Sequence, residues 1–239
     1  MLTKDVMFDQ IQAKFGRKAE HLVENFSLYA SRKSLARTLV HIDLFKRTLE
    51  IPGSIVECGV FRGTSALLFA KLLDIFMPHD LSKRVIGFDT FEGFPTISEE
   101  DNAPSNPESK VGGFQDLKAF EELKLILENY NSESFYKDFE RIIFVKGDLT
   151  KTAPVFLENN PELRISLLHL DLDIYEPTLS SLELFYSRVV RGGVIIIDDY
   201  GDKGWPGPGL AIEKFFAKQP MLYKFPHRSM PGAYFIKGD

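Results

Sequence analysis

Three aspartates carry the strongest chemical signal in this 239-residue chain. Asp171 follows the apolar run Ile165–Leu170, and Asp198 and Asp199 follow the run Gly193–Ile197. The stretch between Asp171 and Asp198 has the length of one strand–helix–strand unit, which would set the three carboxylates side by side at adjacent strand ends. Carboxylates crowded in this way repel one another unless a cation sits among them. An oxygen-only donor set suits a hard divalent ion such as Mg²⁺. Asp173 can serve instead of Asp171, because residues two apart on a strand share a face. The plainer reading is that Asp171 caps a following helix, 177–189, and Asp198 caps the next loop.

The second signal is the stretch Gly53-Ser-Ile-Val-Glu-Cys-Gly-Val-Phe-Arg-Gly-Thr-Ser65. Ile55 and Val56 read as the end of a buried strand, and Glu57, Cys58, Gly59 and Gly63 as a tight turn. Thr64 and Ser65 are placed to cap a helix from Ala66 to about Phe76. Glycine here lets a ligand approach the backbone, and the helix start offers unpaired N–H groups. The spacing is not G-x-G-x-x-G, since an acid, Glu57, stands where the first glycine would be. That acid repels a pyrophosphate but accepts a hydrogen bond from an ammonium, which favours S-adenosylmethionine (SAM) over a dinucleotide. Asp89, after Val85–Phe88, is placed to take ribose hydroxyls. Asp148, after Arg141–Val145, lies where an adenine amino group would be, or caps the helix 150–158.

These residues need a scaffold. Strand-like runs alternate with helices at 66–76, 115–130, 150–158 and 177–189, the pattern of a parallel sheet covered on both faces. Right-handed crossovers then collect Gly59, Asp89, Asp148, Asp171, Asp198 and Asp199 on one edge. Residues 1–50 read as a helical extension, with helices at Ala19–Tyr29 and Ser34–Leu49. Leu35, Leu39, Ile42 and Leu49 make its apolar face, and Arg32, Lys33, Arg37, Lys46 and Arg47 a solvated basic one. The remainder, 51–239, reads as one ligand-binding domain. Within it, 94–114 is too long and polar for a connector and reads as a lid. A loop dense in glycine and proline, Tyr200–Gly209, precedes a helix at Leu210–Ala217. Leu222–Pro226 and Ala233–Lys237 read as an antiparallel hairpin around Arg228–Gly232.

Composition bounds the rest. A net charge of −5 speaks against non-specific nucleic-acid binding. The lone Cys58 excludes an internal disulfide and a cysteine-cluster metal site. Neither a signal peptide nor a membrane span is visible, so a cytoplasmic chain is expected. The five histidines, His21, His41, His79, His169 and His227, show no ligand spacing. Asp171-Leu-Asp173 also matches the D-x-D with which nucleotide-sugar glycosyltransferases hold a metal. That reading leaves the Glu57–Gly63 turn and Asp198-Asp199 unexplained, as would a non-catalytic SAM-binding protein leave the acids.

Four stretches together resemble the macrocin O-methyltransferase family of class I SAM-dependent methyltransferases: Val56–Gly63, Gly87–Pro95, Leu170–Thr178 and Arg191–Gly201. The resemblance implies a doubly wound, mostly parallel seven-stranded sheet of Rossmann-like type, with N-terminal helices and a C-terminal hairpin. It implies Mg²⁺-dependent O-methylation of a sugar or glycoside hydroxyl. By the same resemblance Glu57 and Gly59 meet the methionine end of SAM and Asp89 its ribose; Cys58, Gly63, Thr64, Ser65, Phe91 and Asp148, the last a departure from the family's usual apolar residue, complete the expected cofactor-binding set. Asp171, Asp198 and Asp199 become metal ligands, and Asp171 stands where a catalytic base is proposed. The expected partners are a small acceptor and further copies of the chain in a homo-oligomer, with no nucleic acid and no membrane. The acceptor itself is not implied; the lid, the 202–209 loop and the N-terminal helices are the segments placed to set it.

Overall fold

The computed structural model describes residues 4–16, 18–225 and 232–238, without the side chains of 4–9. Helices come first: α1 (Lys4–Phe15), α2 (Ala19–Glu24), α3 (Phe26–Tyr29) and α4 (Arg32–Lys46). Then follow β1 (Ser54–Cys58), α5 (Thr64–Phe76), β2 (Val85–Asp89), α6 (Ala119–Glu133), β3 (Ile142–Lys146), α7 (Leu149–Asn159), β4 (Ile165–Leu170) and α8 (Tyr175–Phe185). The chain closes with β5 (Val189–Ile197), α9 (Gly207–Phe215), β6 (Tyr223–Lys224) and β7 (Ala233–Ile236).

The strands form one seven-stranded sheet in the order β3-β2-β1-β4-β5-β7-β6. β1 to β5 pair in parallel, while β7 runs antiparallel to β5 and to β6. Every residue of β1 and of β4 is buried, which is why these strands read as near-continuous apolar runs. Alternate residues feed two cores. Ile55, Val85, Leu167 and Ile196 meet α4, α5 and α6 through Phe45, Phe69, Leu73 and Leu123. On the other face Val56, Phe88, Leu168 and Ile195 meet α7, α8 and α9 through Leu157, Phe185 and Ile212. The order reverses between β1 and β4, and ligands of such sheets bind outside the carboxyl ends at that point.

Several expectations shift. β1 extends through Cys58, so Glu57 and Cys58 belong to the buried strand and not to the turn. Thr64 and Ser65 do not cap α5: the cap is Gly63, at φ 78°, with no side-chain cap bond. The Ala19–Tyr29 segment is two helices divided at Asn25. α8 ends at Phe185, and a 3₁₀ turn leads directly into β5, so the 177–189 helix was placed late at both ends. On α4 the buried residues are Val40, His41, Leu44 and Phe45, whereas Leu39 is exposed. The apolar face is therefore rotated from the 35/39/42/49 stripe, because a buried histidine belongs to it and histidine does not read as apolar. The hairpin strands are present, but most of their turn, including His227, lies outside the described residues. Among those described, no helix is long and apolar enough to cross a membrane.

Segment 94–114 is anchored at both ends and in its middle. Phe94 N–H donates to Gly113 O (3.2 Å) and Gly112 N–H to Phe94 O (2.9 Å), which closes the loop on itself. Buried Asp101 accepts from Tyr175 N–H (2.7 Å), at the start of α8, and from Ser98 N–H and Oγ. Gly207 leaves room for that carboxylate: a Cβ there would stand 2.1 Å from Asp101 Oδ1. Asn106 Nδ2 donates to Gly204 O (2.9 Å), tying the segment to the 202–209 loop.

Candidate active site

The ladder at the sheet's switch point brings three chain ends together. Gly59 N–H donates to Phe88 O, Asp171 N–H to Cys58 O and Asp198 N–H to Leu170 O, at 2.8 to 3.0 Å. Gly59 has φ 89°, and a Cβ on it would stand 1.8 Å from Asp171 O, so only glycine fits where β1 leaves beside β4. Above this edge lies a cavity of about 900 Å³.

At one end are the residues of the first turn. Asp89 ends β2; its Oδ2 accepts from Val60 N–H (2.7 Å) and Phe61 N–H (2.8 Å), and its Oδ1 from Phe91 N–H (2.6 Å). Three backbone donors hold the carboxylate at the edge of the cavity, with lone pairs left for a ligand hydroxyl. Phe91 packs on Phe120 with ring centroids 4.5 Å apart. Gly59, Thr64, Ser65, Phe91 and Asp148 line the cavity, and Asp148 also caps α7 by accepting from Thr150 N–H. Of the two sequence readings of Asp148, the helix cap is the one the geometry shows. Cys58 is buried in the core, and burial pushes its thiol up to about 12. Glu57 lies beneath the cavity floor, fully buried, accepting from Ser65 Oγ and paired with His169 Nδ1 (2.8 Å). Its Oε2 has no partner.

At the other end are the acids. Arg37 of α4 spans two of them: Nη2 meets Asp171 Oδ2 at 2.5 Å and Nη1 meets Asp198 Oδ2 at 2.7 Å. Asp171, Asp173 and Asp199 bring carboxylate oxygens within 4.8 Å of one another, as do His41, His169 and Asp198 with their own ligand atoms. Asp198 is held low, at about 2, despite its burial, by His169 and Arg37. Burial together with the neighbouring aspartates raises Asp171 to about 8, Asp199 to about 6, and Asp173 well above the carboxylate range. His169 moves up to about 10: burial opposes its charge, but Asp198 and Glu57 outweigh that. His41 is driven down to about 3 by burial beside His169 and Arg37.

Arg37, His41 and His169 were missed as site residues. Arg37 read as part of a solvated face, and nothing local marks it otherwise. For His169 a signal existed: β4 is apolar except for Ser166 and His169, and β1 pairs Glu57 in register with His169. Two titratable residues, each interrupting a buried strand, indicate a pair.

Whether a divalent cation fits can be judged from charge. Asp171, Asp173, Asp198 and Asp199 share one site with two countercharges, Arg37 and His169. Burial first, and then the neighbouring aspartates, raise Asp171, Asp173 and Asp199. An all-oxygen set with excess negative charge fits a hard divalent ion.

Comparison with known proteins agrees with this geometry. The profile of the Macrocin-O-methyltransferase (TylF) family matches residues 37–236. The 8-demethyl-8-(2,3-dimethoxy-alpha-L-rhamnosyl)-tetracenomycin-C 4'-O-methyltransferase of Streptomyces olivaceus is 31% identical over 63% of this chain and 54% of its own. The mycinamicin III 3''-O-methyltransferase of Micromonospora griseorubida is 30% identical over 63% and 56% respectively. The chain thus spans about half the length of the curated relatives it matches. The crystal structure of CalS11, a calicheamicin methyltransferase, superposes with a TM-score of 0.90 at 30% identity, covering 99% of this chain and 92% of that one. The strand order with its antiparallel last strands, the acid edge and the profile match together place this chain in the macrocin-O-methyltransferase family.

Proposed function

We propose that this protein transfers the methyl group of SAM to a hydroxyl of a sugar or glycosylated small molecule, with a divalent cation at the acids. One observation carries the reading: a single cavity joins the Gly59–Asp89 turn to the Asp171–Asp199 cluster. The first end suits a nucleoside bearing an amino acid. The ribose hydroxyls fall to Asp89, and the N–H groups at the start of α5 stay open to the ligand. The methyl donor needs no covalent intermediate, so the protein's task is to hold the acceptor oxygen in line with it. Two relatives are named as O-methyltransferases of a rhamnosyl-tetracenomycin and of mycinamicin III, which supports a sugar-bearing acceptor.

Asp198 and Asp199 would hold the cation, with Asp173 in reach, leaving Asp171 as the base. Bound there, a divalent ion lowers the pKa of a coordinated hydroxyl and orients it. Asp171 would take the hydroxyl proton on Oδ1, since its Oδ2 is engaged by Arg37. His169, paired with Glu57 below, stands 3.8 Å from Asp198.

The test is incubation with SAM, Mg²⁺ and a panel of glycosides and nucleotide sugars, read by mass. The expected product is heavier by one methyl group, and EDTA should abolish it. Gain of a sugar would establish the glycosyltransferase reading of Asp171-x-Asp173. Turnover at the normal rate in EDTA would make the acids structural.

A further inference from the structure

At the cavity floor four buried side-chain atoms have no hydrogen-bond partner among the described residues: His41 Nε2, His169 Nε2, Asp198 Oδ1 and Glu57 Oε2. A buried polar atom left unpaired costs about 1–3 kcal/mol, so four of them in one place ask for an occupant. They are gathered, not scattered. His41, His169 and Asp198 each bring a ligand atom within 4.8 Å of the other two, and none of the three residues is more than 2% exposed.

Three elements assemble this cluster: α4 supplies His41, β4 supplies His169, and Asp198 follows β5. The two imidazole rings stand 5.0 Å apart, inclined by 67°. Glu57 Oε1 pairs with His169 Nδ1 at 2.8 Å, which leaves Nε2 as the ring atom facing Asp198 Oδ1, 3.8 Å away. That distance is too long for a hydrogen bond. It is close to the spacing of two donors on one ion, since ligands ~2.0–2.2 Å from a tetrahedral centre stand about 3.4 Å apart. An imidazole whose other nitrogen is held by a carboxylate is also the usual form of a metal-ligating histidine. Asp198 divides its oxygens: Oδ2 meets Arg37, and Oδ1 is left to the histidines. His41 and Asp198 line the cavity, so an ion, and water to complete its shell, can enter from there.

The donor atoms choose the ion. Two imidazoles and one carboxylate suit a borderline transition metal, whereas Mg²⁺ keeps to oxygen. The neighbouring group of Asp171, Asp173 and Asp199 offers oxygen alone. The two clusters therefore sort cations by donor type, although they lie side by side.

We propose that His41, His169 and Asp198 form a second cation site, selective for a transition ion of the Zn²⁺ or Co²⁺ type and separate from the oxygen-only site that suits Mg²⁺. The ion takes the place of any proton on His169 Nε2. It ties α4, from the N-terminal extension, to the carboxyl ends of β4 and β5.

Cobalt is the probe. The untagged full chain, with saturating Mg²⁺ to fill the oxygen-only site, is titrated with Co²⁺ and followed by visible absorption. Cobalt of low coordination number with nitrogen ligands absorbs far more strongly than six-coordinate cobalt among oxygens. An intense band that saturates at one cobalt per chain is expected. It should persist at high Mg²⁺ and disappear when Zn²⁺ is added. His41→Ala should abolish it, with thermal unfolding confirming that the variant is folded. Glu57→Gln should weaken Co²⁺ binding by roughly ten- to a hundredfold, the cost of losing a ligand's supporting carboxylate. Faint six-coordinate absorption alone, or a band that excess Mg²⁺ removes, overturns the site, because the cobalt then sits among the oxygens. So does an intense band that His41→Ala leaves unaltered or, where that variant fails to fold, an affinity that Glu57→Gln leaves unaltered. No uptake of cobalt makes water the occupant and overturns the site likewise. No readout depends on turnover, so this site and the proposed function fail separately.

Discussion

Arg37 stands 134 residues from Asp171 and 161 from Asp198, yet its guanidinium joins them. At the residue scale this pairing is the feature least legible in the sequence, because a lone arginine on a helix looks the same whether it faces water or an acid. The acids were legible: each ends an apolar run, and strand ends on one edge must meet. Glu57 was legible as a special position but not as a buried one, since its partner His169 is found only through the β1–β4 register. Arg37→Ala should destabilise the metal-free protein by roughly 1–3 kcal/mol in denaturant unfolding. That is less than the ~3–5 kcal/mol of a fully buried pair, because the arginine side chain is 34% exposed. Added Mg²⁺ should recover more stability in the variant than in the unmodified chain; equal Mg²⁺ effects would show that the arginine and the cation do not share the acids.

His169 makes a pH prediction at the same scale. Its folded value of about 10 lies above the ordinary 6.5, so the folded state holds the proton more tightly. The resulting stabilisation is complete below pH 6.5 and is lost as pH rises through 10. Raised Asp171 and Asp199 act in the same direction at lower pH, since burial penalises their charged forms. With EDTA present, unfolding free energy should therefore fall between pH 6.5 and 9.5, and His169→Gln should flatten that fall. An equal slope in the variant would show that His169 is neutral in the fold.

Elements were read more accurately than their faces. Strand runs stood out because both sides of the parallel strands are buried, and β4 matches its expected bounds. The α4 face was misplaced because its stripe includes His41, and the helix packs by that side against α5. The 94–114 segment shows another limit: its length and polarity marked it as unusual, but its anchors are long-range. Asp101 is buried at 1% exposure and accepts from the backbone of α8, a contact no local pattern encodes. Asp101→Ala should leave the Tyr175 and Ser98 donors without their acceptor. A loss of about 1.5–3 kcal/mol is expected, the scale of a hydrogen bond to a charged group. Hydrogen exchange should show 94–114 losing protection while β1 and β4 keep theirs. Unchanged protection in 94–114 would mean that the aromatic contacts with Trp205 suffice to hold it.

On the scale of the whole molecule, topology places the chemistry. Parallel strands with right-handed crossovers send β1, β2, β3, β4 and β5 toward one edge, so Gly59, Asp89, Asp148, Asp171 and Asp198 meet although they span much of the chain. That much follows from alternating strands and helices. What joins the edge to the N-terminal helices and the two loops depends on tertiary contacts: Arg37 from α4, Asp101 from the 94–114 segment and Trp205 from the 202–209 loop. This edge is expected to bind SAM, with Asp89 as a principal polar contact and with no need of the metal. The direct measurement is calorimetric titration of SAM in EDTA into the unmodified chain and into Asp89→Ala, with thermal unfolding to confirm that the variant is folded. One-to-one binding by the unmodified chain is expected, weakened by about tenfold or more in the variant, as a charged hydrogen bond of ~1.5–3 kcal/mol requires. Absence of SAM binding, or equal affinity in a folded Asp89→Ala, would contradict it.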